Sequence, residues 1–321
     1  MILVCGGLAD TVTELICARL GDRGYPYRFL DLGSYPSGYE VSWHWQRATH
    51  PTGFIAAADW KLDLDELTGV FIRFLGPEGH QPMDGVETEL QSAMDFERDS
   101  GLMALVEDLP CVVINRVAGG MSNNSKPFQA LLVRQSGLLT PPTIVTNDSD
   151  VARGFIDEFH GDVVYKSLSG IRSIVRRIGP ETTARLPFLR YGPAQFQAFI
   201  PGTNVRVHTV GDDVFATRVS SDVVDYRYAR REGGSVEMEP WTLPDELAAS
   251  CLRLAHALGL ELAGIDLKET PDGKFYCFEI NPSPGFLYYE QHTRQPISAA
   301  VADLLHVGRT TNSSMTEVSM A

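Results

Sequence analysis

The chain has 321 residues, with 27 Lys and Arg against 41 Asp and Glu, a formal net charge of −14. That length is too great for one small core and suits two or three compact subdomains. A field of this sign disfavours nucleic acid or an anionic membrane as the main partner, so any phosphate ligand has to be held by locally clustered Lys and Arg.

The opening MILVCGGLAD carries a short apolar run with no basic segment before it, which does not read as a secretory signal. No window approaches the roughly 18 continuous apolar residues of a membrane span. Cys5, Cys17, Cys111, Cys251 and Cys277 are scattered and form no CxxC pair, as expected of free thiols in a reducing cytoplasm. The expected location is therefore cytoplasmic.

In chain order, Ile2–Cys5 reads as a strand, Asp10–Arg23 as a helix, Tyr27–Leu30 and Gly69–Phe74 as strands, Val86–Leu109 as a helix and Cys111–Asn115 as a strand. Repeated βα units imply a mostly parallel sheet covered by helices. The aromatic-rich segment Tyr35–Trp60 has no assignable period. A Gly/Ser/Asn break at Ala118–Ser125 ends this region. Then follow a helix (Pro127–Ser136), a strand (Thr143–Thr146), a helix (Ser149–Phe159) and two strands (Val163–Ser167 and Ser173–Ile178). From Ala194 the pattern is strand-rich: Gln195–Ile200, Val205–Val210 and Val214–Ser220. A helix over Pro244–Leu258, two strands around Asp272-Gly273 and a last helix over Pro296–Leu305 complete it, before a polar tail. The expected divisions are 1–116, 117–193, 194–308 and a tail, 309–321.

The two strands around Asp272-Gly273 carry the oxygen donors. In Phe275–Asn281, alternation puts Cys277, Glu279 and Asn281 on one face and Tyr276, Phe278 and Ile280 on the other. A two- or four-residue turn at Asp272-Gly273 places Asp266 opposite Glu279, whereas a three-residue turn does not. With even parity, Asp266, Glu279 and Asn281 converge as hard oxygen donors suited to Mg²⁺ shared with nucleotide phosphates. Asn281-Pro282-Ser283-Pro284-Gly285 then makes a rigid, ligand-facing turn.

Cations precede them. Lys126 stands before a helix, with Pro127 at its first turn. Lys166 ends a strand and opens a loop of small residues, Ser167 to Gly170, whose N–H groups can approach a phosphate. Arg206 and His208 share one face of their strand, Arg218 lies in the next, and Arg227 follows in Asp225-Tyr226-Arg227. Three arginines upstream of an acidic pair look like a surface for phosphate and acyl phosphate. His208 is a candidate general base, although no base is obligatory for the chemistry.

Lys126, Lys166-x-x-Ser169-Gly170, the run Gln197–Arg206, Asp225-Tyr226-Arg227, Gly264-Ile265-Asp266 and Glu279–Gly285 stand in the order of the ATP-grasp superfamily, and most resemble its RimK-like branch. The likeness spans roughly residues 115–305. Asn115–Thr146, with Gln129, Leu131 and Pro141-Pro142-Thr143, and the strand Val70–Arg73 also resemble the ligases that cross-link ribosomally made graspetides of the microviridin type.

The resemblance implies an α/β (α+β) chain with an ATP-grasp fold: an N-terminal βα domain, and central and C-terminal subdomains that clamp ATP. It implies that Lys126 and Lys166 contact ATP phosphates, Lys166 also near adenine N7, with Ser169 and Gly170 in the covering loop. The hinge Gln197, Ala198, Phe199 and Ile200 would read the adenine edge through its backbone, and Asn204 would lie at the ribose. Asp266, Glu279 and Asn281 would hold Mg²⁺, or Mn²⁺ in its place, and Arg206, Arg218 and Arg227 would steady the transferred phosphoryl group and acyl phosphate. The implied activity is ATP-dependent ligation of a carboxylate to an amine or hydroxyl on a peptide or amino-acid substrate; a homodimer is allowed.

Departures exist. Ile171-Arg172 makes the loop after Lys166 less glycine-rich, Ala198 replaces the usual acidic residue, and Tyr228-Ala229 replaces the Ser-Asn of many RimK-like enzymes. The last leaves the ordinary glutamate-ligase substrate open. The alternatives are a ligase of small metabolites, an ATP-grasp kinase, or a nucleotide-binding module without turnover. Arg176–Pro193, with Arg185, Phe188, Arg190 and Tyr191, is a candidate peptide-docking hairpin, and Arg73 a candidate for facing the substrate.

Overall fold

A computed structural model describes residues 1–35, 38–45, 50–74, 85–166, 168, 175–221 and 235–308. The chain divides into two compact units, Met1–Ile114 with the segment from Ser298 onward, and Asn115–Ile297.

The first unit holds β1 (Ile2–Gly6), α1 (Thr11–Asp22), β2 (Tyr27–Asp31), β3 (Tyr39–His44), β4 (Thr52–Ala57), β5 (Trp60–Asp63), β6 (Gly69–Ile72), α2 (Thr88–Asp108) and β7 (Val112–Ile114). The apolar runs form a parallel sheet in the order β2-β1-β6-β7, as the βα alternation predicts. Asp10 caps α1 by accepting from the Thr13 amide at 2.9 Å. The same carboxylate pairs with Arg73 Nε at 2.9 Å, so Arg73 braces the start of α1. Tyr35–Trp60, which has no legible period, contains most of a three-stranded antiparallel meander, β3-β4-β5.

The second unit holds α3 (Val117–Gly120), α4 (Lys126–Gln135), β8 (Thr143–Thr146), α5 (Ser149–Glu158), β9 (Val163–Lys166), β10 (Arg176–Arg177), α6 (Pro180–Ala184), β11 (Ala194–Ala198), β12 (Thr203–Val210), β13 (Asp213–Ser221), β14 (Val236–Trp241), α7 (Asp245–Ala257), β15 (Leu262–Glu269), β16 (Phe275–Asn281) and α8 (Leu287–Thr293). Two sheets result, β10-β9-β11-β8 and β14-β13-β12-β15-β16. The first buries Val163 and Phe196 against Ala152, Phe155 and Ile156 of α5. The second buries Val205, Val207, Ile265 and Leu267 against Leu247, Cys251 and Leu254 of α7.

Two sequence boundaries move. β11 pairs with β8 and β9, so Ala194–Ala198 belongs to the sheet of the segment before it. The last helix, α9 (Ile297–Val307), packs within the first unit: His306 stacks on Tyr25 at 3.8 Å, Asp303 pairs with Arg23 at 2.9 Å, and a Cβ on Gly69 would lie 2.5 Å from the Leu305 carbonyl oxygen. The tail 309–321 lies outside the described residues. Among the described residues no helix is long and apolar enough to cross a membrane.

Candidate nucleotide and metal site

The acidic pair is brought together by a route that differs from the sequence expectation. Glu269 pairs with Phe275, Lys268 with Tyr276 and Leu267 with Cys277, so five residues, 270–274, join β15 to β16. That odd loop would put Asp266 opposite Phe278. A bulge at Phe278 skips one residue, and Asp266 meets Glu279, Ile265 meets Ile280, and Gly264 meets Asn281. The expectation of an even turn is therefore corrected, while the pairing it was meant to deliver holds. The bulge also corrects the face assignment: Cys277 is buried in the apolar core with Ile280, away from Glu279 and Asn281.

β16 is locked in this register by groups outside the sheet, two side chains and one main-chain carbonyl. Gln129 on α4 is 2 % exposed; its Oε1 accepts from Ile280 N at 3.0 Å and its Nε2 donates to Ile280 O at 2.8 Å. Leu139 O accepts from Cys277 N at 2.7 Å. Asn115 Nδ2 donates to Leu262 O and Pro282 O, both at 2.5 Å, and its Oδ1 accepts from the amides of Glu261 and Leu262. These residues satisfy an edge that would otherwise bury unpaired polar groups.

Arg206 and Asp266 are register partners on β12 and β15, and Arg206 Nη1 donates to Asp266 Oδ1 at 2.7 Å. Arg206, Asp266, Glu279 and Asn281 therefore share a face. Asn281 Oδ1 accepts from Ser283 N at 2.9 Å, which holds the turn after it. Two carboxylates and one carboxamide, all oxygen donors, fit a small hard cation that draws its other ligands from phosphate and water. Among the described residues no three His, Cys, Asp or Glu side chains gather as a metal cluster.

Arg218 is not brought to this face. Its register partner is Val205, whereas Arg206 pairs with Thr217, so Arg206 and Arg218 project from opposite faces of the sheet. Arg218 stacks on Trp241 at 4.0 Å and pairs with Glu269 at 2.8 Å. Alternation along one strand does not carry over to its neighbour without the register. Arg227, Ser169 and Gly170 lie outside the described residues.

His208 is also unsuited to act as a base. It is fully buried beside Arg206, and burial first, then the guanidinium charge, holds its imidazole well below the ordinary histidine range.

The other sheet presents a second polar face. Lys166 pairs with Gln195, and Val164 with Gln197, so Lys166, Gln195 and Gln197 project together, away from Tyr165 and Phe196. All three are buried, and Gln197 Nε2 donates to Thr143 Oγ1 at 3.0 Å. Lys126 is the first residue of α4, half-buried, with Pro127 next. Ala198 and Ile200 are buried about the hinge, and Phe199 N donates to Asp162 O at 2.8 Å. Asn204 pairs with Lys268 and shares the Arg206 face.

Two residues escaped the sequence reading. Gln195 is buried, and its Oε1 lacks a hydrogen-bond partner among the described residues. Lys268 lies 5.3 Å from the Phe199 ring centroid, while Arg177 covers that ring at 3.7 Å. Burial, then Arg177, lowers the Lys268 pKa. Parity would have found both, since each stands two residues from a recognised position, Gln197 and Asp266.

Arg176–Pro193 is not a simple hairpin: it contains β10, α6 and a 3₁₀ turn over Leu186–Tyr191. An open hollow of about 570 Å³ lies beside it, lined by residues that include Arg153, Ile156, Ile178, Pro180 and Pro187. Phe188 and Tyr191 are 64 % and 74 % exposed.

Residues 122–305, more than half of the chain, match the RimK-like ATP-grasp domain. The tetrahydromethanopterin:α-L-glutamate ligase of Methanocaldococcus jannaschii is 28% identical over 269 residues, 78% of this chain and 84% of that protein. The α-aminoadipate–LysW ligase LysX of Sulfurisphaera tokodaii is 23% identical over 229 residues, 67% of this chain and 79% of that protein. Among solved structures, the macrocyclase MdnC of Microcystis aeruginosa, bound with precursor peptide MdnA, superposes with a TM-score of 0.80 at 25% identity, covering 95% of this chain and 99% of that chain. The ATP-grasp ligase PsnB with a phosphomimetic variant of its minimal precursor, Mg and ADP gives 0.76 at 27%, covering 95% and 97%.

Proposed function

From its membership of the RimK-like ATP-grasp family of ligases, to which this chain belongs, we propose that it activates a carboxylate with Mg·ATP as an acyl phosphate and joins it to an amine or hydroxyl of a peptide substrate. The observation that carries this reading is the single face on which Arg206 grips Asp266 opposite Glu279, with Asn281 alongside.

ATP would lie between the two polar faces of the second unit, its adenine edge at the backbone of Ala198–Ile200 and its phosphates toward Lys166 and Lys126. Asp266, Glu279 and Asn281 would hold Mg²⁺, which offsets the charge on the β- and γ-phosphates. The acceptor carboxylate attacks the γ-phosphorus, a new O–P bond forms, and the bond to ADP breaks. The nucleophile then attacks the acyl carbon, the C–O bond to phosphate breaks, and the nucleophile loses a proton. Arg206 stabilises the charge that builds on the transferred group. Lys166, Gln195 and Gln197, all buried, exclude water from an intermediate that water would destroy.

The peptide reading is supported by the likeness to MdnC and PsnB, both solved with precursor peptides. It is also supported by a basic, aromatic segment in an acidic protein: Arg176, Arg177, Arg185 and Arg190 against Glu181, with Phe188 and Tyr191 exposed beside an open hollow. An acidic peptide with apolar anchors fits that surface.

The test is ADP release from Mg·ATP with pooled acidic peptides or pooled amino acids, followed by mass spectrometry of the acceptor. Stimulation by peptides with loss of one water from the product is expected. Stimulation by amino acids alone would favour a small-metabolite ligase, and gain of phosphate a kinase.

A further inference from the structure

His208 is difficult to account for as part of the core. It is 0 % exposed, and its Nδ1 is buried without a hydrogen-bond partner among the described residues. An orphaned polar atom in the interior costs stability that an apolar side chain of similar size would not. Its other nitrogen is engaged: Arg206 Nε donates to His208 Nε2 at 3.4 Å.

The surroundings form a box around the guanidinium. Asp266 Oδ1 takes Nη1 at 2.7 Å. Gly264, the register partner of His208, leaves the space that Nη2 fills, since a Cβ there would lie 2.1 Å from Nη2. The Tyr289 ring lies 5.7 Å from the guanidinium carbon and 4.9 Å from the His208 ring. The segment carrying Tyr289 is pinned to β13 by Gln295, which accepts from Thr217 Oγ1 and donates to Ala216 O, both at 3.1 Å. An arginine side chain has several rotatable bonds, and His208, by accepting from Nε, fixes the rotation of the fork about its stem.

We propose that His208 is a positioning residue that holds Arg206 by accepting a hydrogen bond at Nε2, so that the guanidinium keeps its grip on Asp266 and its fork is oriented toward the transferred phosphoryl group. The inference rests on the ligase reading for its catalytic consequence, but not for the hydrogen bond itself. It explains why an interior position keeps an imidazole with an orphaned nitrogen: preorganisation of the arginine is gained at a cost in stability.

The hydrogen bond fixes the tautomer. With Nε2 accepting, neutral His208 carries its proton on Nδ1. Nitrogen NMR of the ligand-free protein labelled at histidine should show His208 protonated at Nδ1; protonation at Nε2 would overturn the proposal whatever the enzyme's activity. In turnover assays, His208→Leu should lower kcat by about 10- to 100-fold, with KM for ATP little changed and the melting temperature not reduced. His208→Gln, which retains an acceptor at the same reach, should recover kcat to within about threefold of wild type. In an Arg206→Lys background, which lacks Nε, His208→Leu should have little further effect. Equal loss in the Leu and Gln variants with a lowered melting temperature, or an undiminished loss in the Arg206→Lys background, would make His208 merely structural. Absence of turnover in the wild-type protein would instead count against the ligase reading and leave the tautomer to decide the hydrogen bond.

Discussion

β12 and β13 are adjacent antiparallel strands of similar composition, each with one arginine among Val, Thr and small residues, yet the two arginines lead different lives. Arg206 is 6 % exposed, faces the oxygen donors and grips Asp266. Arg218, one register step out of phase, faces the other side of the sheet, lies on Trp241 and pairs with Glu269 at a partly open rim. The sequence offers the two as equals. Register, set by the tight connection between Val210 and Asp213, separates them. A charged residue's role thus follows from the face it occupies, and that face is a property of strand pairing rather than of residue type.

The largest effect is expected from removing the buried charge. Arg206→Met should lower kcat by about 10²- to 10³-fold, the loss typical of a group aimed at developing charge, as measured by ADP release at saturating substrate. An effect under about tenfold would remove Arg206 from the site.

The second test is the lock on β16. Gln129→Leu leaves the Ile280 amide and carbonyl unpaired in the interior, and should cost about 2 kcal/mol of stability in a denaturant melt. Because Ile280 lies between Glu279 and Asn281, the variant should also weaken the Mg²⁺ dependence of nucleotide binding by about tenfold. A stable variant with unchanged Mg²⁺ dependence would show that the bulge is held by other means.

The third sharpens the contrast between buried and rim charges through pH. The His208 pKa lies well below its unfolded value near 6.5, because of burial and then Arg206. Above that unfolded value both states hold the neutral imidazole, and it adds no pH dependence. As pH falls below about 6.5 the unfolded chain binds a proton that the folded one refuses, and stability declines by up to about 1.4 kcal/mol per pH unit. Equilibrium unfolding at a series of pH values from 7.5 down to about 5 should show this slope, and His208→Leu should abolish it.

The smallest effect is expected of Arg218→Met: kcat within about threefold of wild type, and a stability loss of about 1 kcal/mol or less, as befits a rim ion pair with one cation–π contact.

Much of this molecule was legible in the sequence, for physical reasons. Strongly periodic segments such as α1, α5, α7, β12 and β15 declare themselves because one face of each must be buried, and the ordered motifs from Lys126 to Gly285 point to the fold. The meander β3-β4-β5 was not legible, because its strands mix Trp, His, Gly and Ala and bury only part of their side chains. The edge strand β14 was missed, since Glu239 and Pro240 suit an edge but disguise a strand. Helix α8, seven residues after a Pro-Gly turn, is too short for its period to show. Alternation alone pairs Asp266 with Glu279 only across an even loop; the loop is odd, and the bulge at Phe278 makes up the difference. A one-residue irregularity of this kind leaves no trace in alternation, yet it decides which side chains meet.

The central question is which face of the five-stranded sheet receives metal and nucleotide. Mg²⁺-dependent ADP binding, measured by calorimetry on wild type, Glu279→Gln and Arg218→Met, tests that most directly. Glu279→Gln should weaken Mg·ADP binding by at least about tenfold while its melting temperature is retained, and Arg218→Met should bind as wild type does. Wild-type affinity in Glu279→Gln, or its loss in Arg218→Met, would place the site on the opposite face and contradict the account.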